Sequence, residues 1–310
     1  MSFHQHLPSF YDLPVCDRED GEELPADAAW RVTGMSPYGE SDAPSLREDL
    51  DDLLSRVDGT RIRAIVVGQW GPDYDSPADV AVEALAGVAD LLPALEAVFL
   101  GDIVSEESEL SWISQGDITP LLAAYPRLKR LDVRGSDGLQ LQPIVHAGLE
   151  VLRFECGGLP AGVVHAVGES SFPALRHLEL WLGTEHYSGD SGPGDWAGIL
   201  AGSGLPALRH LGLQDSDRQD EVAAAVAAAP IVVRLESLNL SMGVLTDEGA
   251  EALLSGQPLT HLRSLDLSHH WLSEPMMARL QAALPEVRLD LSDLQENEDD
   301  EDWRYVAVSE

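Results

Sequence analysis

Four cationic or titratable side chains recur along the middle of the chain, where they could together bind an anion. These are Arg130, Arg153, His177 and His210. Arginine holds a carboxylate or phosphate through its planar guanidinium group, and Trp181 offers rigid contact area for a protein surface. These residue types favour a binding surface for an acidic peptide or protein over a catalytic centre. They require elements that bring residues distant in sequence onto one face.

Leucines recur at a spacing that supplies such elements. Apolar residues at positions i, i+3 and i+5 are typical of a short strand with one buried face. Two units of this kind lie 27 residues apart: Leu235, Leu238 and Leu240, then Leu262, Leu265 and Leu267. Similar units extend from about residue 62 to residue 291, with helical stretches between them. The pattern predicts an α/β solenoid with about 8–9 repeats and terminal caps, a horseshoe with a parallel sheet on its concave face and helices on its convex face.

This repeat resembles the leucine-rich-repeat superfamily. The segment from Leu245 to Leu253 is similar to the ribonuclease-inhibitor subclass, in which it begins the convex helix and its glycine and alanines permit tight packing. The position that carries asparagine or cysteine in that subclass is occupied here by Ser216, Gly243 and His270. We therefore expect irregular loops after these strands, because the usual side chains that bind loop backbone groups are missing.

Three segments, HLPSFYDLPV at residues 6–15, VVGQWGPDYD at 66–75 and RYVAVSE at 304–310, resemble an uncharacterised leucine-rich-repeat family of streptomycetes and related bacteria. Members of that family can be encoded near radical-SAM enzymes and a hydrolase. The resemblance implies a role as an accessory protein or scaffold.

The repeat divides the chain into three parts. Residues 1–58 lack it and are predicted to form an N-terminal cap, with a strand at Trp30–Val32 and an amphipathic helix from Ser45 to Val57. Residues 59–292 form the solenoid. Its helices include 77–92, which would begin after the capping residues Asp75 and Ser76, and 221–229. Residues 293–310 are an acidic segment that ends in a capping strand predicted to dock onto the solenoid.

Side chains alternate between the two faces of a strand, so the leucines that point to the helices determine which residues line the concave face. This face is predicted to begin with small and apolar residues, Ala64, Val66, Ala97 and Phe99. It continues with the residues predicted to bind a partner: Arg130, Asp132, Arg134, Arg153, Glu155, His177, Glu179, Trp181, His210 and Gln214.

Neighbouring parallel strands lie about 4.8 Å apart, so Arg130, Arg153, His177 and His210 would form a row of cations. In the alternative interpretation, the charged residues pair across strands and only keep the sheet solvated.

The composition limits the partners. The 310-residue chain has 54 acidic and 19 basic residues and a formal net charge of −35, which argues against nucleic acid and anionic membranes as partners. Cys16 and Cys156 are too few and too far apart for a disulfide framework or a paired metal motif. The sequence shows no signal peptide and no apolar run long enough to span a membrane, so we expect a cytoplasmic protein.

Two alternatives to a scaffold stay open. The loop from Gly183 to Asp195 contains His186 and the tetrapeptide GDSG, and an enzyme or enzyme subunit could use it as a site. A regulator could instead sense a small anion at the arginines. His4, His6 and the pair His269–His270 lack the flanking ligands of a metal site, so no metal and no cofactor are predicted. The favoured prediction is a non-enzymatic protein that binds a protein partner on its concave sheet.

Overall fold

The computed structural model describes residues 4–17, 25, 27–34, 44–71, 76–296 and 303–309. It divides into two compact units, an N-terminal unit that ends at Glu155 and a C-terminal unit from Cys156 to Ser309. Helices separate most of the strands in both units, which confirms the predicted α/β repeat architecture. The capping role of Asp75 and the acidic run at 297–302 lie outside the described residues, and the domain limits at residues 58 and 292 stay predictions.

The sheet of the N-terminal unit has its strands hydrogen-bonded in chain order. The first two are antiparallel, and each later strand is parallel to the one before it. The strands are β1 (Ser9–Phe10), β2 (Leu13–Cys16), β3 (Ala29–Val32), β4 (Ala64–Val67), β5 (Ala97–Leu100), β6 (Arg130–Arg134) and β7 (Val151–Glu155).

Three α-helices accompany these strands within the described residues: α1 (Leu46–Arg56), α2 (Asp79–Ala86) and α3 (Thr119–Ala124). Short 3₁₀ turns occupy Gly59–Arg61, Ala89–Leu91 and Leu110–Trp112. Helix α1 and strand β3 lie where the sequence predicted them. Ser45 begins α1 in a capping box, in which its hydroxyl accepts from Glu48 N–H and the Glu48 carboxylate accepts from Ser45 N–H.

Helix α2 is shorter than the predicted helix from 77 to 92. It begins after Ala78, which provides no side-chain cap, and ends at Gly87, after which the chain tightens into the 3₁₀ turn at Ala89–Leu91. Glycine has a low helix propensity, which explains the stop. Val80 and Leu91, two apolar residues of the predicted range, are both exposed.

The sheet of the C-terminal unit is parallel, and its strands again follow chain order. They are β8 (His177–Gly183), β9 (His210–Ser216), β10 (Ser237–Asn239), β11 (Ser264–Asp266) and β12 (Arg288–Asp290). The helices are α4 (Ala161–Glu169), α5 (Pro193–Ala201), α6 (Gln219–Ala227), α7 (Asp247–Ser255) and α8 (Glu274–Ala283), with 3₁₀ turns at Glu185–Tyr187 and Pro230–Arg234.

One apolar residue per strand points to the helices at the same repeat position. These residues are almost completely buried: Ile65, Val98, Leu131 and Leu152 in the N-terminal unit, and Leu178, Leu211, Leu238 and Leu265 in the C-terminal unit. The register joins them directly, for example Val98 with Leu131 and Leu238 with Leu265. Their burial is the main stabilising contribution of each repeat, about 1.5–3 kcal/mol per side chain.

Helices α6 and α7 pack closely. A side chain at Gly249 of α7 would lie 2.9 Å from the Cα atom of Asp220 in α6, so glycine is required for this approach. Helix α6 begins two residues before its predicted start and ends at Ala227. The earlier end has a local reason, because Ala229 precedes Pro230 and a residue before proline disfavours the helical conformation.

The sequence pattern did not predict the β1–β2 hairpin. Its turn residues Tyr11 and Asp12 both have positive φ values, 54° and 58°. This is the conformation of a type I′ turn, which usually carries asparagine and glycine. The usual signal for such a hairpin is therefore missing from the sequence.

Candidate functional site

The face of the sheet that was predicted to begin with an apolar surface is covered in the N-terminal unit. Ala64, Val66, Ala97 and Phe99 are at most 2% exposed and form one cluster with Phe10. The Phe10 and Phe99 rings meet edge to face, with centroids 5.7 Å apart. Leu7, Tyr11, Leu13 and Val15 complete the cover. The prediction that this part of the face is open is wrong, because the hairpin removes its apolar surface from water.

A buried aspartate holds the N-terminal segment in place. Asp102 is fully buried, and its carboxylate accepts from Leu7 N–H at 3.2 Å and binds the Arg31 guanidinium. His6 and Arg134 lie 3.6 and 3.7 Å from the same carboxylate. Burial opposes ionisation of Asp102, but His6 and Arg31 outweigh it and hold its pKa below the usual value. The same contact raises the pKa of His6.

The arginines of β6 and β7 are paired with carboxylates. Arg130 Nε lies 2.7 Å from Asp132, Arg134 Nη2 lies 3.0 Å from Glu155, and Arg153 Nη2 lies 3.1 Å from the other oxygen of Glu155. Arg130 also stacks on the Phe10 ring, with its guanidinium carbon 5.1 Å from the centroid. Only the contact of Arg134 with Glu155 joins two strands, because Arg130–Asp132 and Arg153–Glu155 each lie within one strand. The alternative in which charges pair across strands therefore describes one of the three contacts.

Two predictions about this region are wrong. Asp132, Arg134 and Glu155 are buried and do not face solvent, because each neutralises a neighbour in the network. Arg153 is in register with Asp132, so it does not continue the row from Arg130, whose partner is Val151. Arg130 and Arg153 themselves stay partly exposed. Burial raises the pKa of Asp132 to about 6, although Arg130 and Arg153 oppose the shift.

The C-terminal unit brings three predicted residues together on its open face. His177 and His210 are directly in register, and their rings stack with centroids 4.0 Å apart and planes 10° apart. Glu179, two residues after His177, places Oε1 3.0 Å from His177 Nε2 and 3.2 Å from His210 Nε2. The three donor atoms all lie within 4.8 Å of one another. This donor set, two imidazoles and one carboxylate, is of the kind that can hold a metal ion.

Sequence analysis named these three residues but did not foresee that they converge. The available signal was the repeat phase, because His177 and His210 lie 33 residues apart, at the same position of consecutive units. Gly212 leaves room for the Glu179 side chain on this face of the sheet, because the two residues are in register and glycine has no side chain. A side chain at Gly212 would lie 3.0 Å from Glu179 Cγ, so glycine leaves room for the carboxylate.

Two other predicted contact residues are buried. Trp181 is fully buried and Gln214, its partner in register, is 2% exposed. The Gln214 amide donates to Ser241 Oγ at 3.3 Å. The prediction that Trp181 and Gln214 face a partner is wrong, since an indole ring buries a large apolar area and gains more from the interior than from the surface.

The remaining strands of this unit carry small polar residues on the same face. Ser237 and Ser264 follow His210 in register, and Asn239 and Asp266 follow Gly212. The side chains of Asn239 and Asp266 accept from the backbone N–H two residues later, at 3.0 and 2.9 Å, and so stabilise the turn after each strand. Seven half-exposed residues form what we call the polar strip: His177, Glu179, His210, Ser237, Asn239, Ser264 and Asp266.

The loop from Gly183 to Asp195 contributes to packing. Asp190 accepts from Ala161 N–H at 2.8 Å and thereby caps the start of α4. Ser191, the serine of the GDSG tetrapeptide, is 3% exposed and accepts from Trp196 Nε1 at 2.9 Å. A serine held in this way is not presented to a substrate.

His270 takes over the role of the missing asparagine in its repeat. The ring is fully buried, with Nδ1 accepting from Leu272 N–H at 3.1 Å and Nε2 lying 3.1 Å from the Leu291 carbonyl. Burial lowers its pKa, which favours the neutral ring that both contacts require. The His269–His270 pair therefore serves the turn and the chain terminus.

The described C-terminal residues, 303–309, contact their own unit and include no strand, so the predicted capping strand is not found among them. Ala307 N–H donates to the Met242 carbonyl at 2.7 Å, and Val308 N–H donates to the buried carboxylate of Asp215 at 3.0 Å. Burial raises the pKa of Asp215 well above its usual value. Arg304 helps to line a cavity of about 440 Å³ beside Trp271, so the docked terminus builds part of this surface.

The comparisons with known proteins agree with this architecture. A family model for the Leucine Rich repeat matches residues 235–254 and 259–274. The chain is 30% identical to a Bacteroides fragilis protein whose crystal structure was determined as a structural-genomics target. That match has a TM-score of 0.79 and covers 89% of this chain and 77% of the other. The chain belongs to the leucine-rich-repeat superfamily.

No curated protein matches the sequence. Leucine-rich repeats generally mediate protein–protein interactions on the exposed face of the sheet. The closer resemblance to a streptomycete family stays a prediction. Among the described residues, none of the helices combines the length and the apolar composition needed to cross a membrane.

Proposed function

We propose that this leucine-rich-repeat protein is a non-enzymatic interaction module that binds a protein partner through the polar strip of its C-terminal unit. The observation that carries the proposal is that the same face of the sheet differs in exposure between the N-terminal and the C-terminal unit. The corresponding face of β4 and β5 is buried under the N-terminal hairpin, whereas the polar strip is half-exposed along β8–β11. A solenoid uses the open face of its sheet for binding.

The charges on the strip favour a neutral or basic partner over an acidic one. Glu179 and Asp266 are acidic, and the strand at the edge adds Asp290 and Arg288, so the three carboxylates outnumber the one guanidinium. The arginines that suggested an acidic partner belong to the N-terminal unit and are paired with Asp132 and Glu155. The strongly negative chain would also attract a basic partner from a distance, and salt would weaken this attraction.

The observations favour neither of the other candidate functions. Ser191 and Asp190 in the Gly183–Asp195 loop are engaged in packing contacts, so the serine of the GDSG tetrapeptide is not available to a substrate. An anion sensor would need arginines without carboxylate partners. The arginines of β6 and β7 are paired with carboxylates.

The test is affinity capture with cross-linking from an extract of the native cell, followed by identification of the captured protein. Ser264→Arg adds a long cation in the middle of the strip, and Ala282→Arg adds the same side chain at an exposed position of α8. We expect the wild type and A282R to capture the same partner and S264R to lose it. A partner that S264R captures as well as the wild type would contradict the proposal.

A further inference from the structure

The side chains of His177, Glu179 and His210 converge, and one ring nitrogen among them, His210 Nε2, is left without a hydrogen bond within the described residues. One carboxylate oxygen lies 3.0 Å from one Nε2 atom and 3.2 Å from the other. His210 Nε2 is buried and has no hydrogen-bond partner within the described part of the chain, because the contact with Glu179 lacks hydrogen-bond geometry. One carboxylate oxygen between two imidazole nitrogens, all within 4.8 Å of one another, is an arrangement that a metal ion can complete.

We propose that His177, Glu179 and His210 form a binding site for a divalent transition-metal ion, with zinc as the best fit. Zinc binds imidazole nitrogen and carboxylate oxygen at about 2.0–2.1 Å, so two ligands of a tetrahedral site lie about 3.3 Å apart. The two contacts with Glu179 are close to this separation. The set of two histidines and one carboxylate leaves the fourth position for water or for a group of a bound partner.

The surroundings of the site support the ligands. Ser237 Oγ lies 2.7 Å from His210 Nδ1, which orients the ring so that Nε2 faces the carboxylate. A hydrogen bond to the second ring nitrogen is characteristic of histidines that bind metals. Gly212 contributes the space beside Glu179, where any side chain would contact its Cγ atom.

Metal binding requires one local change. The rings of His177 and His210 are stacked, so the lone pairs of the two Nε2 atoms run side by side. Each ring must turn about its Cβ–Cγ bond to direct both lone pairs at the ion. Both side chains are partly exposed, 33% and 19%, which leaves room for this movement.

The experiment titrates the full-length chain, without an affinity tag, with Zn²⁺ in a calorimeter and with Co²⁺ in an absorbance spectrometer. A physiological salt concentration suppresses the diffuse attraction of cations to the acidic surface. We expect saturable binding of one ion per chain, with the visible absorbance of a Co²⁺ ion in a four- or five-coordinate site.

Three variants locate the site. Loss of an outer-shell partner costs metal sites about 10–100-fold in affinity, so Ser237→Ala is expected to weaken binding about tenfold, and Glu179→Gln or His210→Gln by more than 100-fold. The matched control is His165→Gln, which removes an exposed histidine 3.4 Å from Glu169 in a pair that lacks a third donor. This control is expected to bind like the wild type.

The variants are also compared by circular dichroism and thermal melting without metal, so that loss of binding is separated from loss of the fold. Unsaturable uptake that E179Q and H210Q share with the wild type would overturn the proposal, as would equal losses in H165Q and H210Q. The test does not depend on a protein partner, so its failure would leave the proposed function in place.

Discussion

The N-terminal and C-terminal units use the same face of the repeat in different ways. In the first, the hairpin of β1 and β2 covers Ala64, Val66, Ala97 and Phe99 with apolar side chains. In the second, the described terminal residues bind Met242 and the end of β9 at Asp215, and the polar strip is partly exposed. The comparison teaches that a repeat supplies a sheet, whereas the chain outside the repeats decides which part of it is covered.

Both terminal segments are nevertheless held by a similar device. A buried aspartate accepts from backbone N–H groups of the segment: Asp102 from Leu7, and Asp215 from Val308. The electrostatics differ, because Asp102 has Arg31 and His6 beside it and a lowered pKa, whereas burial raises the pKa of Asp215. Four predictions examine how strongly each unit depends on such contacts.

The largest effect is expected from Asp102→Ala. It leaves Arg31 without its buried counter-charge and removes one of the two carboxylates beside Arg134, so it should lower the free energy of unfolding by about 4 kcal/mol. The measurement is urea denaturation, combined with hydrogen exchange of residues 7–15. Asp51→Ala removes an exposed pair with Arg47 and should cost less than about 1 kcal/mol. Equal costs for the two variants would show that the segment does not depend on Asp102.

Phe10→Ala is expected to destabilise the N-terminal unit by about 3 kcal/mol, because it removes a buried ring from the cluster around Phe99. Denaturation followed by circular dichroism measures this loss. Trp112→Ala deletes a larger aromatic side chain that is 61% exposed, and it should have a much smaller effect. If F10A cost no more than W112A, the hairpin would not cover the sheet in solution.

The raised pKa of Asp132 predicts a pH-dependent contribution to stability. Its folded pKa of about 6 lies above the usual 3.8, so the folded state binds more protons, and the contribution is present at low pH and lost as the pH rises through 6. Between pH 5 and pH 7.5, stability relative to Asp132→Asn should fall by about 1.4 kcal/mol, which corresponds to one pKa unit. Denaturation of both proteins at the two pH values measures this difference. An unchanged difference would contradict the assignment.

The smallest effect concerns the C-terminal segment. Val306 is 5% exposed, and Val306→Ala should cost about 1 kcal/mol because the segment can settle into the space left behind. The control is Val233→Ala, at a position that is 69% exposed. Thermal melting that separates V306A from V233A would support docking of the terminus, and identical melting temperatures would count against it.

Local patterns predicted the strands from β3 to β12, but not the β1–β2 hairpin. The repeat phase predicted which residue of each repeat strand is buried, from Ile65 to Leu265. The same alternation placed His177, Glu179 and His210 on the open face. It failed for Trp181 and Gln214, because alternation states on which side of the sheet a residue lies and not whether another part of the chain covers that side.

The sequence by itself determined the repeat architecture, because apolar spacing is a local property and each strand needs its neighbours to bury its leucines. Only the tertiary structure decided which part of the sheet is open. The contact of Phe10 with Phe99 joins residues far apart in sequence, and the pairing of Arg134 with Glu155 depends on strand register. The convergence of two histidines on Glu179 likewise depends on the space that Gly212 leaves. Periodicity does not encode such long-range contacts, because they are selected by packing and charge neutralisation in the folded chain.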